Sequence, residues 1–349
     1  MIGFFEKISI YSYYNTKVRG ILIRFGIVGT NWITDRFLKG ALKVEGFSLN
    51  AIYSRSVEKT EEFALKYGVK HKFINLEEMA NSNQIDAVYI ATPNSLHAEQ
   101  SILFLKNGKH VLCEKPFASN TKEVKKMIET ARKHNVLLME AMKSTFYPNF
   151  KSIQDNLEKI GSIRRFTAVK NQFSSGYNRY LDGALPNAFN PELSNGSLMD
   201  IGVYGIYPIL FLFGNPKSIT ASCYKLKSGV DGGGTILMHF EDKEAVVMHS
   251  KTTTSNLPSE ILGEKGSILI DSISSPTKIE IQFVDGRKED ITRSQDKDPF
   301  CYEAEEFVRL IREGRTESLI NTFERSLQVM EIMTEARKQM GITYPADRQ

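Results

Sequence analysis

Between residues 21 and about 140, short apolar runs alternate with stretches whose apolar positions recur at helical spacing. The run "ILIRFGIVG" reads as a strand, and from Trp32 to Val44 the side chains Ile33, Phe37, Leu38 and Ala41 fall on one side of a helix. A strand "FSLNAIYS" and a helix "VEKTEEFALKYG", stopped at Gly68, follow, then a short strand "KFI". Next come the buried-type strand "IDAVYIATP", the helix "HAEQSILFLKNG" ending at Gly108, and the strand "HVLCEKP". The helix "KEVKKMIETARKHN" and the strand "VLLMEAM" complete the series. Unbroken Val/Ile/Leu runs between amphipathic helices predict a parallel sheet covered on both faces. Ligands of such sheets bind beyond the carboxyl ends of the strands, where the strand order reverses.

The rhythm changes near residue 145. "IRRFTAVKNQF", "SITASCYKL", "GTILMHF", "EAVVMHS", "GSILI" and "KIEIQFV" have period-2 character and are joined by turn-rich pieces such as "EDKE" and "VDGRKED". They predict a largely antiparallel sheet. One apolar helix, "SLMDIGVYGIYPILFLFG", is embedded among them and ends at Gly214, with Pro216 just beyond. The helices "YEAEEFVRLIREG" and "NTFERSLQVMEIMTEARKQMG" close the chain. The expected organisation is an extension over residues 1–20, a nucleotide-binding unit over 21–144 and a second unit over 145–349. The last helix, about 321–340, is a candidate to pack back on the first unit.

Composition changes this picture little. At 349 residues there is room for two cores, and 41% apolar with 25% charged residues is ordinary for a globular protein. The net charge of +4 is spread along the chain, which argues against a dedicated nucleic-acid surface. No apolar run was read as a membrane span, and the first twenty residues lack a basic region and a cleavage site of the secretory kind. Cys113, Cys223 and Cys301 are scattered and lack metal-ligand spacing, so the expectation is a reducing, cytoplasmic setting and no metal site.

Candidate chemistry begins at "GIVGTNWITDRF". A dinucleotide fingerprint needs a glycine for the tight turn, a second for backbone approach to pyrophosphate and a third for helix packing. Only Gly29 is kept, with Asn31 and Thr34 at the other two places. Asn tolerates a left-handed backbone and caps helices, so Gly29, Thr30, Asn31, Trp32 and Ile33 are candidates to hold phosphate at the helix start. Taken alone, the loop reads equally well as a plain strand-to-helix turn. At the end of the second strand, Ser54, Arg55, Ser56 and Lys59 stand where an acid would bind a ribose hydroxyl. An arginine with hydroxyls suits a 2′-phosphate, and so NADP(H) over NAD(H).

Thr92, Pro93 and Asn94 end the next strand, and His97 either faces the cleft or simply begins the following helix. Glu114 and Lys115 end a buried strand, where a lysine is costly unless it faces the cleft. There, a desolvated ammonium is expected to have a lowered pKa and to polarise a substrate hydroxyl. Asp200 and Tyr204 lie four residues apart on one helix face. The plainer reading of that pair is a capping Asp beside a buried Tyr.

In order, "GIVGT", "YSRS", "ATPNSLH", "CEKP", "NPELSNGSLMDIGVY" and "GEKGSILI" resemble the Gfo/Idh/MocA oxidoreductases, the family of glucose–fructose oxidoreductase and inositol dehydrogenase. The stretch Asn190 to Tyr204 is most similar to the dihydrodiol and NADP-dependent aldose dehydrogenases of that family. The resemblance implies an α/β protein: a Rossmann domain, then an α/β domain with a large open sheet used in homo-oligomer contacts. It makes Lys115 the motif lysine, Asp200 the family aspartate and Tyr204 the proton donor or acceptor. A phenol with pKa near 10 needs a nearby ammonium to work at neutral pH, and Lys115 is placed to supply one. Departures are Asn31, Thr34 and Asn195 for glycines, and Thr145 and Asn187 where relatives often carry arginine. Tyr177, Arg179 and Asn187 are candidates to touch substrate. The implied activity is NADP(H)-dependent hydride transfer to or from a sugar, cyclitol or diol carbon. The alternative is a non-catalytic dinucleotide or sugar sensor of the same fold.

Overall fold

The computed structural model describes residue 20 and residues 22–348, so the extension expected over residues 1–20 lies outside the described residues apart from Gly20. Six strands, β1 (Ile23–Val28), β2 (Phe47–Tyr53), β3 (His71–Phe73), β4 (Ala87–Ile90), β5 (His110–Glu114) and β6 (Leu138–Ala141), form the first sheet in the order β3-β2-β1-β4-β5-β6. All of its pairings are parallel. The order reverses between β1 and β4, which fixes the ligand crevice above their carboxyl ends. Both faces of the sheet are covered, as the unbroken apolar strands require: Ala87, Val88, Tyr89 and Ile90 are each 0% exposed.

The second sheet has eight strands: β7 (Ile163–Asn171), β8 (Ser218–Lys225), β9 (Asp231–His239), β10 (Glu244–Ser250), β11 (Ser259–Gly263), β12 (Gly266–Ile270), β13 (Ile279–Phe283) and β14 (Lys288–Asp290). Their order is β14-β13-β12-β11-β7-β10-β9-β8, antiparallel throughout except where β10 runs parallel to β7. Its inner face (Phe166, Ala168, Ile236, Met238, Ala245, Val247, Ile261) is buried against the apolar helix Val203–Phe213. That helix lies close because Gly205 faces the sheet: a Cβ there would stand 2.8 Å from Val247 Cγ1 and 3.2 Å from the Ala168 Cβ. The stretch Pro191–Phe213 is, at 23 residues and mean hydropathy 1.5, long and apolar enough to cross a membrane, against the sequence expectation. In the fold 72% of its most apolar 18-residue window is buried, so its hydropathy serves the core.

The two closing helices join the sheets. Phe300–Arg312 packs on the helix Trp32–Ala41, with Phe300 and Phe307 in one core cluster with Phe25 and Phe37. Phe323–Met340 touches the helix Thr121–His134 of the first sheet as well as β8 and Val203–Phe213 of the second. Thr121 and Thr334 hydroxyls meet at 3.2 Å across that contact.

The close approach at Gly205 makes a sharp test. Gly205→Val is expected to lower unfolding stability by about 1–3 kcal/mol through overpacking against Val247 and Ala168. A urea unfolding curve superimposable on the wild type would show that the helix does not depend on this contact.

Candidate active site

The loop after β1 is held by side chains rather than by a run of glycines. Gly29 has φ 107°, and a Cβ on it would lie 2.7 Å from the Ala91 carbonyl, so the ends of β1 and β4 meet without side-chain thickness. Asn31 does not take the left-handed backbone expected of a glycine substitute, since its φ is −142°. It acts as the helix cap: Oδ1 accepts from the Ile33 and Thr34 amides at 2.9 and 3.3 Å, and Nδ2 donates to the Ala91 carbonyl at 2.6 Å. Thr34, in the place of the third glycine, is buried and donates its hydroxyl to the Gly29 carbonyl at 2.7 Å. The cap therefore occupies one of the amides expected to serve phosphate, that of Ile33. The Thr30 and Trp32 amides remain without a protein acceptor among the described residues. Trp32 opens the helix and is 67% exposed.

At the end of β2, Ser54 is buried and its Oγ accepts from the Ser56 amide, while Arg55 and Lys59 are exposed at the mouth of the next helix. Beyond β4, Thr92 Oγ1 donates to Gln100, and Pro93 precedes the helix Asn94–Lys106. Asn94 donates its amide to the Ser194 carbonyl at 2.9 Å and so ties this rim to the second domain. His97 does not reach the cleft. It is 1% exposed, with ring nitrogens 2.9 Å from the Pro116 carbonyl and 2.8 Å from that of Thr92. Burial lowers its pKa, against the pull of the two carbonyls.

Three sequence candidates do converge. From Gly196 to Leu210 every residue is buried except Asp200 and Tyr204, which therefore open to the cleft. Leu198–Gly202 is a π-turn leading into the helix Val203–Phe213, a feature common at functional sites. Lys115, entering from the end of β5, donates Nζ to the Asp200 carbonyl at 2.8 Å and to its Oδ1 at 2.9 Å, and sits 4.7 Å from the Tyr204 ring centroid.

The electrostatics reverse the expectation for Lys115. Burial alone would lower its pKa, but Asp200, Tyr204 and Glu114 together raise it above the ordinary lysine value. Tyr204 is pushed up to about 12, by burial first and then by Glu114, Asp200 and Glu303, with Lys115 pulling the other way. Glu114 accepts from the Tyr89 hydroxyl at 2.5 Å and from the Lys115 amide at 3.2 Å, and burial raises its pKa.

Several charged groups here were not singled out from the sequence. Lys251, 3% exposed, donates to Asp200 Oδ2. Lys143, also buried, bonds the Tyr147 hydroxyl, the Ser274 carbonyl and Ser275 Oγ, and burial lowers it to about 8. Glu303 is wholly buried with neither oxygen hydrogen-bonded, and burial plus the nearby Glu114 push its pKa well up. Lys170 lies at the inner end of β7, its pKa lowered by burial and by Lys115. The signal for two of these was strand period: Ala245, Val247 and His249 put Lys251 on the inner face, and Phe166 with Ala168 does the same for Lys170.

Of the substrate candidates, Tyr177 is half-buried and packs with Tyr180 on Phe189, at ring distances of 5.6 and 5.1 Å to that residue. Phe189 in turn lies 5.7 Å from Lys251 Nζ. Arg179 and Asn187 are exposed and make no contact with the Lys115–Asp200 pair.

Residues 23–142 match the model of the oxidoreductase family with an NAD-binding Rossmann fold, and residues 156–269 match the GFO/IDH/MocA C-terminal domain. The chain is 58% identical to scyllo-inositol 2-dehydrogenase (NADP(+)) IolU of Bacillus subtilis, over 94% of this chain and 100% of that protein. It is 33% identical to the trans-1,2-dihydrobenzene-1,2-diol dehydrogenase of Xenopus tropicalis, over 92% and 99%. Among solved structures, KijD10, a 3-ketoreductase from Actinomadura kijaniata in complex with NADP and TDP-benzene, superposes with a TM-score of 0.82. It covers 91% of this chain and 98% of its own at 23% identity, a likeness of fold. The β3-β2-β1-β4-β5-β6 sheet, the Lys115 strand end and both domain matches agree: the chain belongs to the Gfo/Idh/MocA family of nicotinamide-dependent oxidoreductases.

Proposed function

We propose that this protein is an NADP(H)-dependent dehydrogenase of a cyclitol or related polyol, in which Tyr204 exchanges the substrate proton beside Lys115. The observation that carries this reading is the convergence of Lys115, Asp200 and Tyr204 at one edge of the cleft. The high identity to a relative named as an NADP(+)-dependent inositol dehydrogenase supports the cyclitol class and the cofactor. A sensor of the same fold would have no use for a phenol and an ammonium held together.

The loop residues fit a dinucleotide. Gly29, Thr30 and Trp32 would hold pyrophosphate at the helix start, Ser54 and Arg55 with Lys59 the 2′-phosphate, and Thr92 with Pro93 the nicotinamide side. When bound, the nicotinamide supplies or accepts the hydride. The protein's own task is the proton. Tyr204, a neutral phenol at ordinary pH, donates to the forming hydroxyl in reduction and must lose its proton for oxidation. The Lys115 ammonium favours that loss by stabilising the phenolate, and Asp200 holds the ammonium in place. Three free thiols, Cys113, Cys223 and Cys301, support a reducing cytoplasmic setting. The outer face of the second sheet, with Tyr224 48% exposed beside half-exposed Leu237, Val246 and Met248, supports assembly as a homo-oligomer.

NADPH should quench the fluorescence of Trp32, the only tryptophan, more strongly than NADH does. Arg55→Ala should weaken NADPH about 10–100-fold and leave NADH nearly unaffected. Equal losses for both cofactors would remove Arg55 from the 2′-phosphate site. Lys115→Met should abolish turnover of scyllo-inositol while the NADPH titration keeps its midpoint, and surviving activity would make Lys115 structural. Because Tyr204 titrates high, the wild-type oxidation rate should climb steadily from neutral to alkaline pH. In Tyr204→Phe that climb should flatten at a much lower rate, and an unchanged slope would assign the proton to another group.

A further inference from the structure

Asp200 is gripped from two sides. Its Oδ1 and backbone carbonyl take Lys115, and its Oδ2 takes Lys251. Both lysine side chains are nearly sealed, 10% and 4% exposed, whereas the Asp200 side chain is 38% exposed toward the cleft. The backbone of Lys251 is fixed as well. Its amide donates to the Gly232 carbonyl of β9 at 2.9 Å, and its own carbonyl accepts from Ser174 at 2.8 Å, where the segment bearing Tyr177 and Phe189 begins. The Lys251 ammonium, 5.7 Å from the Phe189 ring centroid, ends on Asp200.

We propose that Lys251 is a positioning residue of the proton-transfer site: by holding Asp200 Oδ2 it stops the carboxylate from turning, so that Oδ1 keeps the Lys115 ammonium beside Tyr204. The inference rests on the proposed role of Lys115 and Tyr204 and adds a third charge to it. A carboxylate with one partner rotates about its last bond and follows a mobile ammonium, whereas one with a partner on each oxygen has a single orientation.

The charge of Lys251 has a second effect. Its positive charge, in contact with Asp200, offsets part of the negative charge that Asp200 sets against Lys115 at Tyr204. Other charged or titratable groups face this cluster from the surrounding elements. These are Glu114 from β5, Tyr89 from β4, Lys143 and Tyr147 after β6, Lys170 from β7, Asp231 from β9 and Glu303 from the helix Phe300–Arg312. None of them bonds Asp200, so none replaces Lys251 when it is removed. Loss of the positive charge raises the proton affinity of Tyr204, which moves the activity profile to higher pH in either reaction direction.

The test uses the full chain with Lys251→Met, which keeps the apolar stem, and Lys251→Arg, which keeps the charge. For scyllo-inositol oxidation with NADP+, Lys251→Met should lower kcat about 10–100-fold with little change in KM. Its pH profile should shift about one unit alkaline, and Lys251→Arg should keep the wild-type profile. In an Asp200→Asn background, Lys251→Met should cost no more than about twofold further. A raised KM at unchanged kcat would make Lys251 a substrate ligand instead. A full additional loss in the Asn background, or an unshifted profile in Lys251→Met, would equally overturn the proposal. If the wild type turns over no polyol, the functional reading fails by itself, and hydrogen exchange of amides 198–204 still decides the clamp. Exchange faster in Lys251→Met but not in Lys251→Arg supports it, and equal exchange in all three proteins overturns it.

Discussion

The site depends on one carboxylate shared by two buried ammonium groups. Two ammonium groups taken out of water are expensive, and their pairing with a partly exposed carboxylate repays that cost only with good geometry and every oxygen engaged. Here the balance is visible in the shifts. Burial works against the charged form of both Asp200 and Lys115, yet Asp200 is held well below the usual carboxylate range and Lys115 above the usual ammonium range. At contact distance and an effective dielectric near 20, each attraction is on the order of 4 kcal/mol, and two of them act on Asp200. Removal of one partner would leave a buried charge exposed to its desolvation cost of about 3–5 kcal/mol. The cluster is therefore stable as a trio and poor as a pair.

The scaffold exists to bring those three charges together from separate parts of the chain. Lys115 ends β5 of the parallel sheet, Lys251 follows β10 of the second sheet, and Asp200 rides the turn between them. The turn is anchored from behind, where the buried Asp231 carboxylate accepts from the Leu198 amide at 2.6 Å and burial pushes that acid up to about 6. It is anchored from the sides by Asn94 on the Ser194 carbonyl and by Tyr344 on that of Asn195. Further along the helix, Pro208 lacks the amide that would normally bond the Tyr204 carbonyl. A helix interrupted at both ends of the Asp200–Tyr204 segment is held in place by these outside contacts more than by its own ladder.

The architecture was legible because burial writes itself into period. The all-apolar "DAVYIA" and the alternating "EAVVMHS" announce two kinds of sheet, and Lys115 stood out as a charge ending a buried strand. Other features depend on folding partners that no local pattern encodes. Asn31 looked like a backbone substitute for glycine because its residue type allows that conformation. Its capping role was legible from residue type, but its extended backbone goes with a bond that no local pattern encodes, from its side-chain amide to the Ala91 carbonyl sixty residues away at 2.6 Å. For His97, facing the cleft and beginning the next helix are both open in the sequence, and the Pro116 and Thr92 carbonyls decide for the buried position. Lys251 carried a readable signal, the inward position that continues the period of β10 just past its end, but its meaning needs Asp200, 51 residues earlier in the chain. Glu303 had none, since it sits among the buried positions of an ordinary amphipathic helix.

On the proposed function, the same charges decide how each group handles the proton. A lysine judged by burial alone would be depressed toward neutrality and would serve as the base itself. With Asp200 in place, Lys115 keeps its proton across the working range, so it acts as a fixed charge and not as a carrier. Tyr204 is then the group near the reacting position that can change state, because it opens to the cleft and its acidity is set by opposing neighbours. Lys115 draws its pKa down while Glu114 and Asp200 raise it, and a shift of one unit in that balance is about 1.4 kcal/mol. The carboxylate that pins the ammonium thus also opposes its effect on the phenol. A second ammonium on Asp200 eases that conflict, which gives a physical reason for a site built on two lysines where one would seem enough.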